Sequence, residues 1–218
     1  MRTCSQAWTE NIIVCTRAIS QHAAMADVMT KGRLEAFSDG VFAILITIMV
    51  LELKVPNGTD PASLLAVWPV FLSYLLSFLM LAIYWVNHHG LFQIAHHVDT
   101  AVLWSNNNLL FFLSLVSFST AYMGENNFAP FPTALYAASL LLCGIAYIPV
   151  RRAVMRQLRS DEKFMRMARR AGWKNYVSVA IYAAAIPLAY VHPAITLVNC
   201  FAVAGLYFLP NAFLGRAE

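Results

Sequence analysis

Six long apolar stretches constrain this chain more than any other feature of its sequence. They follow residue 30, and each holds roughly 16 to 23 residues with few or no charges. About 20 such residues are needed to cross the roughly 30 Å hydrocarbon core of a bilayer. The stretches cover approximately residues 34–53, 64–86, 102–122, 131–150, 176–191 and 194–213.

The composition agrees with a membrane environment. Apolar residues make up 60% of the chain and charged residues only 12%, whereas a soluble domain carries about 25% charged residues. In lipid, backbone polar groups must pair within helices or a closed barrel, and barrel strands would alternate apolar and polar residues. Because the stretches are continuously apolar, we predict an all-α integral membrane protein with six transmembrane helices.

The basic residues predict the orientation of these helices. Of 15 Lys and Arg residues, all but Lys54 fall on one side of a six-helix arrangement, and nine lie between Arg151 and Lys174. The positive-inside rule then places both termini in the cytoplasm. The segment 151–174 is expected to continue the fourth helix beside anionic lipid headgroups. Because topology accounts for this charge, we expect the lipid bilayer and no nucleic acid as a partner.

The pattern also divides the chain. Residues 1–30 hold no long apolar run and are interpreted as an N-terminal cytoplasmic tail, whereas residues 31–218 form one six-helix domain. His192-Pro193 separates the last two stretches, and a proline at the first position of the returning helix is typical of a tight helical hairpin.

The first stretch carries ionisable residues where a membrane helix tolerates few. Arg33, Glu35 and Asp39 lie near its start, and Glu52 lies at its end. Such groups cost several kcal/mol in hydrocarbon unless they are paired or hydrated, so they are usually functional or structurally paired. An interfacial position for Arg33 and Glu35, with local pairing of Asp39, is the simpler alternative.

The run Arg33-x-x-x-Phe37-Ser38-Asp39 resembles the signature of the transmembrane protein 175 family of potassium channels. Similarity at residues 84–89 (Tyr-Trp-Val-Asn-His-His) and 117–136 extends the resemblance to roughly residues 31–215. It implies a prokaryotic member with one six-helix channel domain, assembled as a homotetramer in the plasma membrane, with helix one lining a potassium-permeable pore. It implies no cofactor. The chain has neither a Thr-Val-Gly-Tyr-Gly filter nor a helix with arginine at every third position, so a leak-like channel without a voltage sensor is expected.

The resemblance also assigns a pore face to the first helix. At about 100° per residue, one face of that helix carries Ile44, Thr47, Ile48 and Leu51. By resemblance, Ile44 forms a hydrophobic constriction, and Thr47 and Leu51 form further layers. A ring of isoleucines would gate by dewetting, and threonine hydroxyls could replace part of the water around a potassium ion. Potassium is therefore expected to pass Ile44 and Thr47 transiently. On periodicity alone, packing between helices would explain the same face.

The signature residues are expected to hold the pore helix in place. Asp39 lies about 140° around the helix from Ile44, so it should point into the bundle and need donors there. The ends of the next two helices offer Trp85, His88, His89, Trp104 and the run Asn106-Asn107-Asn108. The predicted network comprises Arg33, Phe37, Ser38, Asp39, Trp85, His88, His89 and Asn108. Which histidine joins the network is left open.

Other functions have weaker support. His88-His89 and His96-His97 form two pairs without a Cys or Glu to complete a metal shell, so no metal site is expected. Hydrolase, metalloprotease and phosphate-loop motifs are missing, and we expect no enzyme activity. A membrane enzyme with histidine-bound metal is the weakest alternative. The main alternative is a proton-coupled secondary transporter that uses Asp39 and the histidines as a relay.

Overall fold

The computed structural model describes residues 30–56, 58–157 and 162–208, with side chains from residue 172 onward in the last range. These residues form seven helices and no strand, which confirms the all-α class. The helices are α1 (Lys31–Leu51), α2 (Pro61–Ala66), α3 (Trp68–Gln93), α4 (Thr100–Glu125), α5 (Pro130–Gln157), α6 (Glu162–Val191) and α7 (Pro193–Phe208). The predicted tail lies outside the described residues, apart from Thr30.

Four helices of the described part are long and apolar enough to cross a membrane, namely α1, α3, α4 and α5. Helix α7 is also apolar but has only 16 residues. Helix α6 begins in the basic segment of the sequence and becomes apolar in its second half. The arrangement with six spans therefore stays a prediction.

Contacts at the helix ends set the direction of α1 relative to its neighbours. At its start, Lys31 Nζ donates a hydrogen bond to the Gln93 carbonyl oxygen at 3.2 Å, at the end of α3. Beyond its last turn, Lys54 forms an ion pair with Glu125 at the end of α4. Helix α1 is therefore antiparallel to α3 and parallel to α4. The hydrogen bond to Glu125 and the charge of that carboxylate raise the pKa of Lys54.

Most of the charge lies at one end of the bundle. The backbone N–H groups of His96 and His97 donate to Gln157 Oε1 at 3.2 and 3.3 Å, so the α3–α4 connection lies beside the end of α5. We call this the basic end; it carries Lys31, Arg33, Arg151, Arg152 and Arg156.

Three boundaries can be compared with the sequence predictions. The break at His192-Pro193 is confirmed, since α6 ends at Val191 and α7 begins at Pro193. The second apolar stretch is not continuous: α2 ends at Ala66, and α3 begins at Trp68 with Pro69 in its first turn, where a missing N–H is tolerated. The prediction that 151–174 extends the fourth helix was wrong beyond Gln157, because α6 begins at Glu162.

A buried cluster of hydroxyl groups joins α3, α4 and α5 in the interior of the bundle. Ser77 Oγ lies 2.7 Å from Thr120 Oγ1 and 3.0 Å from the Tyr136 hydroxyl oxygen. Thr120 Oγ1 donates its proton to the Val116 carbonyl oxygen at 2.6 Å. Because Ser77 and Tyr136 are fully buried, these bonds have no competition from water.

Tyr136→Phe should lower the free energy of unfolding by about 0.5–1.5 kcal/mol, because it removes one buried hydrogen bond and leaves the ring in place. Tyr190→Phe is the matched control, since the Tyr190 side chain is 60% exposed. Reversible unfolding in mixed micelles measures both variants. Equal stability of the two would contradict a stabilising role for the cluster.

Candidate pore face and anchoring network

Helix α1 is packed on one face only. Its buried residues are Leu34, Ser38, Phe42, Leu45 and Met49, spaced three or four residues apart. This face packs mainly against α3 and α4. The opposite face of α1 is largely exposed in the part of the chain that the structure describes. A helix with one stripe buried and one open is suited to meet a second surface or an aqueous path.

The predicted pore residues all lie on the open face. Ile44 is 57% exposed, Ile48 43% and Leu51 78%, and Thr47 is exposed as well. The Thr47 hydroxyl donates to the carbonyl oxygens of Ala43 and Ile44, both at 3.0 Å. Since its proton is turned toward its own helix, the hydroxyl oxygen keeps lone pairs for a ligand on the open side.

A chain of buried hydrogen bonds holds the packed face near the basic end. Ser38 Oγ donates to the Leu34 carbonyl oxygen at 2.8 Å and accepts from Asn106 Nδ2 at 3.0 Å. Asn106 Oδ1 lies 2.7 Å from His88 Nε2, and since an amide oxygen only accepts, His88 is the donor. Ser38, Asn106 and His88 are at most 1% exposed. One amide thus links α1, α3 and α4.

The two neighbouring histidines have different surroundings. The buried His88 ring packs between Phe42, at a centroid distance of 5.6 Å, and Phe92, at 4.4 Å. His89 is exposed, stacks on Trp85 at 5.6 Å and lies 2.9 Å from Gln93 Nε2 through its own Nε2. Of the two histidines, His88 is the one that is linked to α1, through Asn106 and Ser38.

Asp39 lies on the flank of α1 that faces α3. Its Oδ1 accepts a hydrogen bond from Trp85 Nε1 at 2.9 Å. Trp85 is one of the donors that the sequence analysis offers for Asp39, whereas the carboxylate itself is exposed in the single chain. The reason is geometric: Asp39 follows Ser38, and one residue turns the helix by about 100°, so the two cannot share the buried face.

Three members of the predicted network are not brought into it. The Arg33 side chain is exposed and has neither a hydrogen bond nor an ion pair within the described residues, and Phe37 lies on the open face, 52% exposed. Asn108 is exposed on α4, and the bridging amide belongs to Asn106 instead. The spacing of the buried residues Val102, Leu109 and Leu113 would have selected Asn106, because it lies in phase with them and Asn108 does not.

Comparisons with known proteins agree on one family. The family model described as "Endosomal/lysosomal potassium channel TMEM175" matches residues 33–116. A protein of Chryseobacterium sp. (strain P1-3) named as a potassium channel is 43% identical over 183 residues, which is 84% of this chain and 95% of that protein. Another of that name, from Chamaesiphon minutus, is 44% identical over 115 residues, covering 50% of this chain and 56% of the relative.

The fold also has a solved counterpart. The crystal structure of a lysosomal potassium-selective channel TMEM175 homolog from Chamaesiphon minutus superposes with a TM-score of 0.71 at 31% sequence identity. The superposition covers 86% of this chain and 98% of the other.

Asn106→Ala should lower the free energy of unfolding by about 2–4 kcal/mol, because Ser38 and His88 both lose their shared partner in a dry site. Asn108→Ala should change it by less than about 0.5 kcal/mol, because that side chain is exposed in the single chain. Unfolding in micelles of monomeric protein compares the two. A larger loss in Asn108→Ala would refute the assignment of Asn106 as the bridge.

Proposed function

Because the chain belongs to the TMEM175 family, we propose that it forms a potassium-permeable cation channel with α1 lining the pore. The protein is a multi-pass membrane protein, and relatives from two bacteria carry the name potassium channel. A prokaryotic plasma membrane is the location we infer from them. The channel is leak-like and has no voltage sensor.

The observation that carries this proposal is the open face of α1. Ile44, Thr47, Ile48 and Leu51 align along it, while the opposite face is fixed against α3 and α4. A homotetramer with this face toward its axis would surround a narrow path with four copies of each residue. The path would be apolar at Ile44, where water is expelled, and would offer hydroxyl oxygens one turn further at Thr47.

The distribution of charge supports six spans with both termini in the cytoplasm. The basic end carries Lys31, Arg33 and the three arginines of α5, while the other end holds Glu52, Asp60 and Glu125 with Lys54. By the positive-inside rule the basic end is cytoplasmic. Residues 31–218 then form the channel domain and residues 1–30 a cytoplasmic tail.

The hydrogen bonds of the titratable groups give no support to the transporter alternative. A relay would need Asp39 and the histidines joined by hydrogen bonds, directly or through water. Asp39 instead binds Trp85, His88 binds Asn106 in the interior, and His89, which stacks on Trp85, lies against Gln93. A leak through α1 requires no such relay.

Ile44→Ala and Ile44→Asn should raise potassium flux from proteoliposomes by about threefold to tenfold, as lowering a barrier by roughly 0.6–1.4 kcal/mol would do. A wider or more polar ring holds water more readily, so a potassium ion that passes it loses less of its hydration and crosses a lower free-energy barrier. The flux is measured under a potassium gradient with no proton gradient.

Val50→Ala is the matched control for Ile44. Val50 is 43% exposed but lies about 120° around α1 from Ile44, so its truncation should leave flux unchanged. Flux that requires a proton gradient and is indifferent to Ile44 would reject the pore and favour a transporter.

Thr47→Val should reduce the preference for potassium over sodium by about threefold or more, because it removes the hydroxyl while keeping the shape of the side chain. Thr47→Ser keeps the hydroxyl and should retain the preference. Reversal potentials under bi-ionic conditions measure both variants. A selectivity loss in Thr47→Ser but not in Thr47→Val would contradict the assigned role.

A further inference from the structure

A pocket of about 210 Å³ lies among α3, α5, α6 and α7 at the basic end of the bundle. Its lining comes from the last three turns of α3 and α5, from Gly172 and Asn175 on α6, and from Tyr207 near the end of α7. No residue of α1 lines it, so the pocket is separate from the proposed pore. We call it the four-helix pocket.

The positive charge of the four-helix pocket comes from Arg151. This residue is half-buried, whereas Arg152, the next residue of α5, is exposed. The guanidinium of Arg151 lies directly over Gly172, where an added Cβ atom would collide with it. The glycine on α6 therefore leaves the space that the guanidinium occupies. Within the described part of the chain, no acidic residue lines the pocket.

Two amides add hydrogen-bond donors to the lining. Asn87 Nδ2 donates to the Ile83 carbonyl oxygen at 2.7 Å. Asn175 Nδ2 donates to the Gly144 carbonyl oxygen at 3.3 Å. An amide nitrogen carries two protons, so each side chain keeps a second N–H, and the five N–H groups of a guanidinium can serve several acceptors at once. A space lined by such donors and by no acid is suited to an anion.

A second cation lies beside the pocket. Lys174 is only 7% exposed, and its Nζ lies 5.8 Å from the centroid of the Tyr207 ring. Tyr207 itself lines the pocket. Because charges interact more strongly away from bulk water, a buried ammonium at this distance adds to the positive potential of the site.

We propose that the four-helix pocket binds a phosphate group, with the Arg151 guanidinium as its main ligand and the amides of Asn87 and Asn175 beside it. The planar guanidinium matches two phosphate oxygens at once. An anionic phospholipid and inorganic phosphate both carry this group. Basic pockets between membrane helices on the cytoplasmic side bind lipid headgroups. Val86, which lines the same pocket and is 58% exposed, would offer an apolar edge to the acyl chains of a lipid.

Arg151→Gln tests the charge, with Arg152→Gln as the matched control on the next residue of α5. Native mass spectrometry in non-ionic detergent counts the dioleoylphosphatidylglycerol molecules retained per chain as the lipid concentration is raised. Arg151→Gln should raise the concentration for half occupancy about tenfold or more, because it removes charge-assisted hydrogen bonds. Arg152→Gln should leave that concentration unchanged. Equal binding by the two variants would overturn the proposal.

Gly90 permits a second test that leaves every charge in place. It lines the pocket, yet a Cβ atom added there would meet nothing within 4 Å. Gly90→Leu should therefore fill the pocket without disturbing the fold, and should raise the concentration for half occupancy about tenfold or more. Gly205→Leu on α7 is the matched control, since Gly205 has equally open space and does not line the pocket. Unchanged lipid binding in Gly90→Leu would reject this pocket as the site.

Two competing ligands identify the source of the phosphate. Dioleoylglycerol has the same acyl chains without the phosphate, and it should not displace the phospholipid. Displacement by equal amounts of dioleoylglycerol would contradict a phosphate site. If millimolar inorganic phosphate displaces the lipid from the wild type, the free ion is a ligand of the pocket. If the lipid is retained against inorganic phosphate, the ligand is the phospholipid. These measurements record binding alone and do not depend on ion flux.

Discussion

One-sided anchoring of α1 is the constraint on which the rest of the structure depends. Near the basic end, the Asn106 amide is bonded to both Ser38 and His88 at positions with no access to water. A dry polar chain of this kind tolerates little displacement, because any lost bond leaves a buried group unsatisfied. A rotation of α1 by one residue, about 100°, would break it. The rotation of α1 that allows these hydrogen bonds is also the one that leaves Ile44 and Thr47 on the open face.

The two flanks of α1 differ in their chemistry. On one flank Trp85 binds Asp39, and on the other a groove between α1 and α4 is lined by Phe37, Asn107 and Phe111. Further along the bundle, the cluster of Ser77, Thr120 and Tyr136 holds α3, α4 and α5 together. A rigid support behind α1 would allow the apolar ring proposed at Ile44 to keep its diameter, which a loosely held helix could not do.

The sequence predicts the helices well because hydropathy is a local property and lipid allows few other structures. It also places Ile44, Thr47, Ile48 and Leu51 on one face, since that follows from helical periodicity. The hydrogen-bond partners of the signature residues are harder to predict from the sequence, because they depend on the rotation of two helices relative to each other. Asn106, Asn107 and Asn108 are adjacent and chemically identical, yet one bridges three helices, one lines a groove and one is exposed.

Accessibility of α1 to water tests the central claim most directly. Single cysteines at Thr47, Leu51 and Val50 are treated with a membrane-impermeant cationic thiol reagent while potassium current is recorded. If the open face lines the pore, the reagent blocks current at Thr47→Cys and Leu51→Cys, and Val50→Cys is unaffected. Block at Val50→Cys alone, or unchanged current at all three positions despite conduction, would show that the ion path lies elsewhere.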